Sequence, residues 1–448
     1  MIELGTVASV VLAVVSLLLA GQAAYSAALM LYAWEDEDKW SQNRVPATFE
    51  PPRNRFTVLL PARHEEAVIQ GTIQRVVDLD YPRELVEVLV VIEAGDHGTI
   101  AKVLETMAML RAQGIDHVRL LTFDDPPINK PHGLNVGLSV ATGSVVTIFD
   151  AEDEPHPEIL QVVNTLMVRE GAPVVQCGVQ LMNYADRWFS ASNVLEYFFW
   201  FKSRMHYHAA QEIVLLGGNT VFIRRELLDK IGGWDQHCLT EDADVGIRLS
   251  AMGVPIRVLY DDDYVTREET PPTVDQLVRQ RTRWDQGFLQ VLGKGDWLRL
   301  RGWRQRLLAL YSLSSPLLQG ITVLYLPVSI WTMLYASVPI PVAMISSLPL
   351  YMVTLQYLVS VAGLYEFARV HHLKPSRWSA LQLLAAFMPY QWLLGFSALR
   401  AVWRQVGGNN SWEKTVHTGA LRRGPQAPLA YAPLAEPVAE PLAKQVGG

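Results

Sequence analysis

Cysteine and charge are what this 448-residue sequence has little of. Cys177 and Cys238 are the only cysteines. They show no metal-type spacing, which excludes a disulfide-stapled scaffold and a zinc ribbon and fits a reduced compartment. Charged residues make up 19% of the chain against 50% hydrophobic residues, and the shortage is concentrated at the two ends. No charge occurs from Leu4 to Trp34, and none between Arg306 and Glu366. A net charge of −7 gives no general affinity for nucleic acid. The local basic cluster Lys294, Arg299, Arg301, Arg304 and Arg306 lies just ahead of an apolar region, so it reads as a cytoplasmic membrane-proximal segment rather than a nucleic-acid patch.

A membrane span needs about 20 apolar residues, so residues 1–34 are expected to form an N-terminal transmembrane anchor. A cleaved signal peptide is the competing reading, with Gly21-Gln22-Ala23-Ala24 as a cleavage-like site. Met1-Ile2-Glu3 lacks a basic n-region, however, and the apolar run is longer than a usual h-region. Residues 307–365 are long enough for two spans, with Val338-Pro339-Ile340-Pro341 as the hairpin between them. A third C-terminal segment, 378–400, carries Pro389 and Gln391 near its centre and either spans or enters the interface as a kinked, re-entrant piece. Residues 273–306 read as an amphipathic interfacial segment, and 424–448, a Pro, Ala and Glu mixture, as a disordered tail.

The segment between anchor and hairpin has the length of one α/β domain, with the catalytic portion expected at 56–272. Phe56 to Pro61, Val86 to Ile92 and Val145 to Phe149 are apolar runs of buried-strand type. The helix-like stretches between them imply parallel crossovers. The third run ends at Asp150, so acidic groups lie at strand C-termini, where open α/β sheets bind ligands.

Four polar islands follow in order: Asn129-Lys130-Pro131, Asp150-Ala151-Glu152-Asp153, Thr240-Glu241-Asp242 and Gln280-Arg281-Thr282-Arg283-Trp284. This order resembles that of membrane-bound family 2 glycosyltransferases, the cellulose-synthase-like enzymes, and the resemblance runs from about Phe56 to Thr415. It implies a GT-A nucleotide-sugar-binding domain embedded between transmembrane helices. Pro61-Ala62-Arg63-His64-Glu65-Glu66 is similar to the opening Pro-Ala-x-Asn-Glu pattern of that family, with His64 in place of Asn.

A nucleotide diphosphate leaves readily only when its charge is neutralised, and a hard cation held by carboxylates does this. Asp150 and Glu152 lie two apart on a loop leaving a strand, where both reach one ion. They stand where the family has Asp-x-Asp, with Asp153 the ligand in place of Glu152 if the register slips by one. Mg²⁺ or Mn²⁺ is the implied cofactor. The resemblance also implies donor contacts from Lys130, Asp150, Glu93, Asp96, Gln280, Arg281, Arg283 and Trp284. Arginine forks suit diphosphate oxygens and an ammonium acts there as a point charge. Ile92-Glu93-Ala94-Gly95-Asp96 departs from the family's Asp-Asp. Asp242 is the implied base that deprotonates the acceptor. Gly217, Gly218, Glu241 and Trp284 are the implied acceptor contacts. The alternative for Thr240-Glu241-Asp242 is an ordinary helix cap at Thr240.

The aromatic run Tyr197 to Phe201, with Trp188 and Phe189, is expected to pack against the membrane or to line an acceptor path. His206 and His208 lack a third ligand at suitable spacing for a metal. The combined expectation is an inverting hexosyltransferase of the cell membrane with a cytosolic catalytic domain. It would use a nucleotide diphosphate sugar, of which UDP is the implied nucleotide, to extend a polysaccharide. The alternative is a single transfer to a lipid-linked acceptor. A transporter with a regulatory domain is disfavoured because the spans carry no buried charges. So few spans imply a short product, partner subunits or self-association.

Overall fold

The computed structural model describes residues 2–3, 5–35 and 37–413. The expected tail at 424–448 and the Lys414-Thr415 end of the stretch that resembles the family lie outside the described residues. At the centre is a seven-stranded sheet: β1 (Phe56–Ala62), β2 (Val86–Glu93), β3 (Val118–Phe123), β4 (Val145–Ile148), β5 (Val174–Cys177), β6 (Val221–Arg224) and β7 (Ile256–Leu259). The spatial order is β3-β2-β1-β4-β6-β5-β7. Strands β1 to β4 are parallel, as the helical crossovers imply. β6 runs antiparallel to both β4 and β5.

Strands buried on both faces need continuous apolar sequence, and Val86–Glu93 supplies it. Val88, Val90 and Ile92 point into one core with the helices Ile69–Val77, His97–Ala112 and Ile159–Arg169. Leu89 and Val91 point into the other. The helices that build the second core and the membrane region are α1 (Thr6–Leu31), α2 (Lys130–Val140), α3 (Ser190–Phe199), α4 (Met205–Ala210), α5 (Glu241–Ala251), α6 (Val274–Lys294), α7 (Ser315–Tyr335), α8 (Ile340–Val370) and α9 (Ser379–Val406).

Among the described residues, three helices are long and apolar enough to cross a membrane: Thr6–Trp34, Ser315–Tyr335 and Ile340–Val370. α9 is continuous through Pro389 and lies along α6, where the Thr282 hydroxyl donates to the Ser397 carbonyl and Arg404 Nε donates to Gln286 Oε1 at 2.9 Å. α6 occupies most of the segment expected to be interfacial, but α9 covers part of its length. The second core does not stop at the domain boundary. Val359, Leu364 and Phe367 of α8 and Leu383 of α9 join Leu59, Leu89 and Phe198 in one cluster. Gly363 is required there, because a Cβ at that position would overlap the Phe199 ring. The aromatic run is thus divided: Phe198 and Phe199 pack against α8, while Tyr197, Phe199, Trp200 and Phe201 also face an internal cleft.

His206 and His208 of α4 are buried, and burial holds both far below the ordinary imidazole value, at about 3, helped by Arg257 and Arg204 respectively. Nε2 of His206 and Nδ1 of His208 have no partner. Both rings are neutral in the folded protein, whereas the unfolded chain takes up protons near pH 6.5. Their contribution is therefore complete above that pH and is lost progressively as pH falls towards 3. By pH 5 the loss is on the order of 2 kcal/mol for each ring. Thermal unfolding in detergent at pH 7.5 and pH 5 is expected to show a smaller pH-dependent drop for a His206→Leu/His208→Leu double variant than for the parent protein. Equal drops would assign the acid lability to other groups.

Candidate active site

The carboxyl edge of the sheet gathers the polar islands because of the reversed strand. β6 enters the sheet antiparallel, so its lead-in, Leu216 to Thr220, arrives at the edge where β4 ends. Thr220 N–H donates to the Ile148 carbonyl at 2.8 Å. Thr220 has φ 49°, a left-handed conformation rare for a β-branched residue, so backbone strain is held beside the site. Asn129 caps α2 by accepting from His132 N–H, which fixes Lys130 at the helix start. The Lys130 ammonium pairs with Asp150 at 2.5 Å and donates to the Gly218 carbonyl at 3.1 Å. A Cβ on Gly218 would stand 3.3 Å from Asp242 Oδ2 and 3.6 Å from Lys130 Nζ. Lys130, Asp150, Gly218 and Asp242 therefore converge on one small volume, with glycine leaving the room.

Burial opposes the Lys130 charge, but Asp150, Glu241 and Asp242 outweigh it and raise the pKa. Burial, with Asp242 adjacent, pushes Glu241 up to about 8. Burial also raises Asp242, whose Oδ1 accepts from the Ala243 N–H at 2.8 Å. Thr240 stands at the cap position of α5, yet its hydroxyl makes no cap bond and is buried without a partner. The start of α5 is thus not an ordinary threonine cap.

The acidic loop divides. Asp150 and Glu152 face the cleft. Asp153 is fully buried; it accepts from the Asp150 N–H and from Asn219 Nδ2 at 2.8 Å each, so its carboxylate organises the loop behind the cleft. Glu268 comes to the same place from a short strand, Thr266–Glu268, that pairs with Val179–Leu181. Burial, Glu152 and Asp150 together push it up to about 7. Crowded hard oxygen donors whose charges resist one another fit a divalent cation held by Asp150 and Glu152. Among the described residues, the groups that bring three ligand atoms within 4.8 Å are elsewhere, at His64, Glu66 and Asp96.

Glu93 lines the cleft and pairs with Arg63 at 3.1 Å. Asp96, expected beside the base or ribose, is 3% exposed and is not part of the cleft wall. It accepts from the Thr99 N–H at the start of helix His97–Ala112 and from the His64 N–H. His64 is left-handed, φ 54°, a conformation that Asn and His tolerate better than most residues, which accounts for the exchange of one for the other here.

Gln280, Arg281, Arg283 and Trp284 all line the cleft from α6. Arg281 is committed to Glu196 and Asn193, with its guanidinium 4.7 Å from the Trp284 ring. Arg283 donates to the Glu413 carbonyl at 2.9 Å and lies 4.8 Å from the Trp412 ring. Glu413 is itself held by Arg400 and Arg404, so the chain after α9 folds back over α6. Trp412 and Glu413, near the end of the stretch that resembles the family, thus brace the Arg283 side of the cleft. Glu268, Asn219 and Glu196 carry no role in the sequence reading; Asn219 directly follows the Gly217-Gly218 pair, but nothing in the sequence shows that Glu196 meets Arg281.

The cleft holds about 650 Å³ and extends from Lys130 and Asp150 past Gly217 and Gly218 into the space between α1, α7, α8 and α9. Among curated proteins, the chain is 29% identical over 266 residues to the probable glycosyltransferase YdaM of Bacillus subtilis, covering 57% of this chain and 59% of that protein. It is 29% identical over 237 residues to a beta-monoglucosyldiacylglycerol synthase of a Nostoc species, covering 52% and 49%. The matched region is thus about half to three-fifths of each relative's length. Among solved structures, a mannosyltransferase from Pyrobaculum calidifontis in complex with GDP-Man and Mn²⁺ aligns over 88% of this chain and 99% of its own, with TM-score 0.52 and 21% identity. That likeness establishes the GT-A fold. The model of the glycosyltransferase-like family 2 matches residues 51–287, from the approach to β1 through the Arg283-Trp284 pair on α6. Every polar island around the cleft falls inside that range, and the chain belongs to glycosyltransferase family 2.

Proposed function

We propose that the protein moves a hexose from a nucleotide diphosphate sugar to a hydroxyl group of a lipid acceptor held in the membrane, inverting the anomeric centre. The observation that carries this reading is the continuity of one cleft, from Lys130, Asp150 and Asp242 to the apolar side chains Leu19, Val323, Leu326 and Val353 of three helices of membrane-spanning length. A lipid can lie along such a wall and present its headgroup at the carboxyl edge of the sheet. The basic cluster ahead of α7 supports a cytosolic sheet domain at the cell membrane, where nucleotide sugars are available. Extension of a polysaccharide is the second reading; it draws support from Tyr197, Trp200 and Trp284, whose rings face the same cleft and suit sugar faces.

In the reaction, the Asp242 carboxylate takes the proton of the acceptor hydroxyl. The acceptor oxygen then bonds to the anomeric carbon, and the bond from that carbon to the diphosphate oxygen breaks, its electron pair leaving with the diphosphate. Lys130 holds Asp150 in place and offers its ammonium to the leaving phosphates. Gly218 keeps the approach to Asp242 open. Asp150 and Glu152 are the residues that would hold Mg²⁺ or Mn²⁺, which when bound neutralises charge on the diphosphate.

Asp242→Asn preserves shape and removes the proton acceptor. Single-turnover transfer is expected to slow by ~10²–10⁴-fold with nucleotide diphosphate affinity nearly unchanged. Near-normal transfer, or an equal loss of affinity, would remove Asp242 as the base.

Asp150→Asn, or excess chelator with the parent protein, is expected to lower turnover by at least about 100-fold, the scale of losing one electrostatic stabiliser of developing charge. Circular dichroism should stay unchanged. Full turnover in chelator would refute the metal assignment.

A further inference from the structure

The membrane part of the cleft contains polar groups that the transfer step does not use. Gln22 and Ser26 are four residues apart on α1, Ser315 and Gln319 on α7, and Gln356 and Ser360 on α8, so each pair shares one helix face. Apart from Ser26, these residues line the cleft. α9 adds Gln391. Glutamines in apolar helices are costly against lipid and here are only partly exposed, turned to an internal space.

Arg204 lines the same cleft, from the turn between α3 and α4. Its Nη2 donates to the Ser26 hydroxyl at 2.6 Å. Tyr311 and Glu196 favour its charge against burial, and among the described residues no carboxylate comes within ion-pair range of it. A half-buried guanidinium without an anion is costly to maintain, and an arginine fork matches phosphate oxygens in bidentate fashion. The side chain opens onto a cavity that is continuous with Asp242.

We infer that Arg204 is a specificity-determining residue that binds the phosphate of the acceptor, so the acceptor class is a membrane lipid carrying both a phosphate and a free hydroxyl. The glutamine faces of α1, α7 and α8 hydrogen-bond the rest of the headgroup, and the apolar wall holds the acyl chains. This rests on the transfer to a lipid proposed above. It narrows that reading, since a neutral diacylglycerol offers Arg204 no anion to pair with.

The test is equilibrium binding of radiolabelled phosphatidylglycerol and of diacylglycerol with the same acyl chains to the full-length protein in detergent, followed by transfer assays with each lipid. Phosphatidylglycerol is expected to bind at least about tenfold more tightly, the scale of a hydrogen bond to a charged group. Arg204→Gln should abolish that preference, and Arg204→Lys should retain most of it. Gln319→Leu, on a different helix, should weaken phosphatidylglycerol binding severalfold and serves if Arg204→Gln does not fold. Equal binding of the two lipids, or a preference that survives Arg204→Gln, would overturn the assignment. Arg204-dependent binding with no sugar transferred to any lipid would leave the phosphate site standing and refute the function proposed above.

Discussion

The Lys130 ammonium is the interaction on which the site depends. Asp150, Glu241 and Asp242 all act on it, and without it three carboxylates would share a poorly solvated volume at the end of the sheet. Two buried carboxylates that lack a counter-charge keep a proton instead of ionising. A protonated Asp242 could not act as the proposed base. The contact to the Gly218 carbonyl adds a positional constraint, because it ties the ammonium to the lead-in of β6. One side chain thus sets both the electrostatics and the spacing between the ends of β4, β6 and α5.

Parts of this arrangement are legible in the sequence for simple reasons. β1, β2 and β4 are buried on both faces and must be written as continuous apolar runs, so Asp150 at the end of such a run marks the carboxyl edge. The four-residue strand Val221–Arg224 carries no comparable signal, and its direction depends on pairing with two neighbours that are distant in sequence. Asp153 and Asp96 show a related ambiguity. A carboxylate beside a catalytic one can face the substrate or support the loop, and only the backbone decides: Asp153 is turned inward by Asn219, and Asp96 is engaged by two backbone N–H groups. The amphipathic pattern of α6 is equally plain, but composition does not say whether its apolar side meets lipid or another helix. α9 meets it.

The extended cleft is the part the sequence concealed most. Charge-free spans suggest an anchoring role, and glutamine and serine are too uncharged to interrupt an apolar run. Their spacing is nonetheless informative once the helices are placed, since residues four apart on α1, α7 and α8 turn to the same interior. Arg204 was hidden differently. It lies outside every apolar run, in an aromatic segment, and reaches the membrane region only because Trp200–Arg204 forms a π-helical turn that presses against α1.

The common core of the sheet and α8 gives this geometry its consequence. Phe199 fills the space left by Gly363, and Phe198 and Phe367 pack edge to face with ring centres 5.7 Å apart. Close-packed interiors transmit displacement rather than absorb it. α3, which carries these aromatics, also carries Glu196, the partner of Arg281 on α6. A shift of α8 against the sheet would therefore move the cleft wall beside Arg281 along with the wall between α1, α7 and α8. In the proposed transfer, donor and acceptor would both be held by elements packed against this one helix, so a lipid seated in the bundle would also fix the frame in which Asp242 meets its hydroxyl.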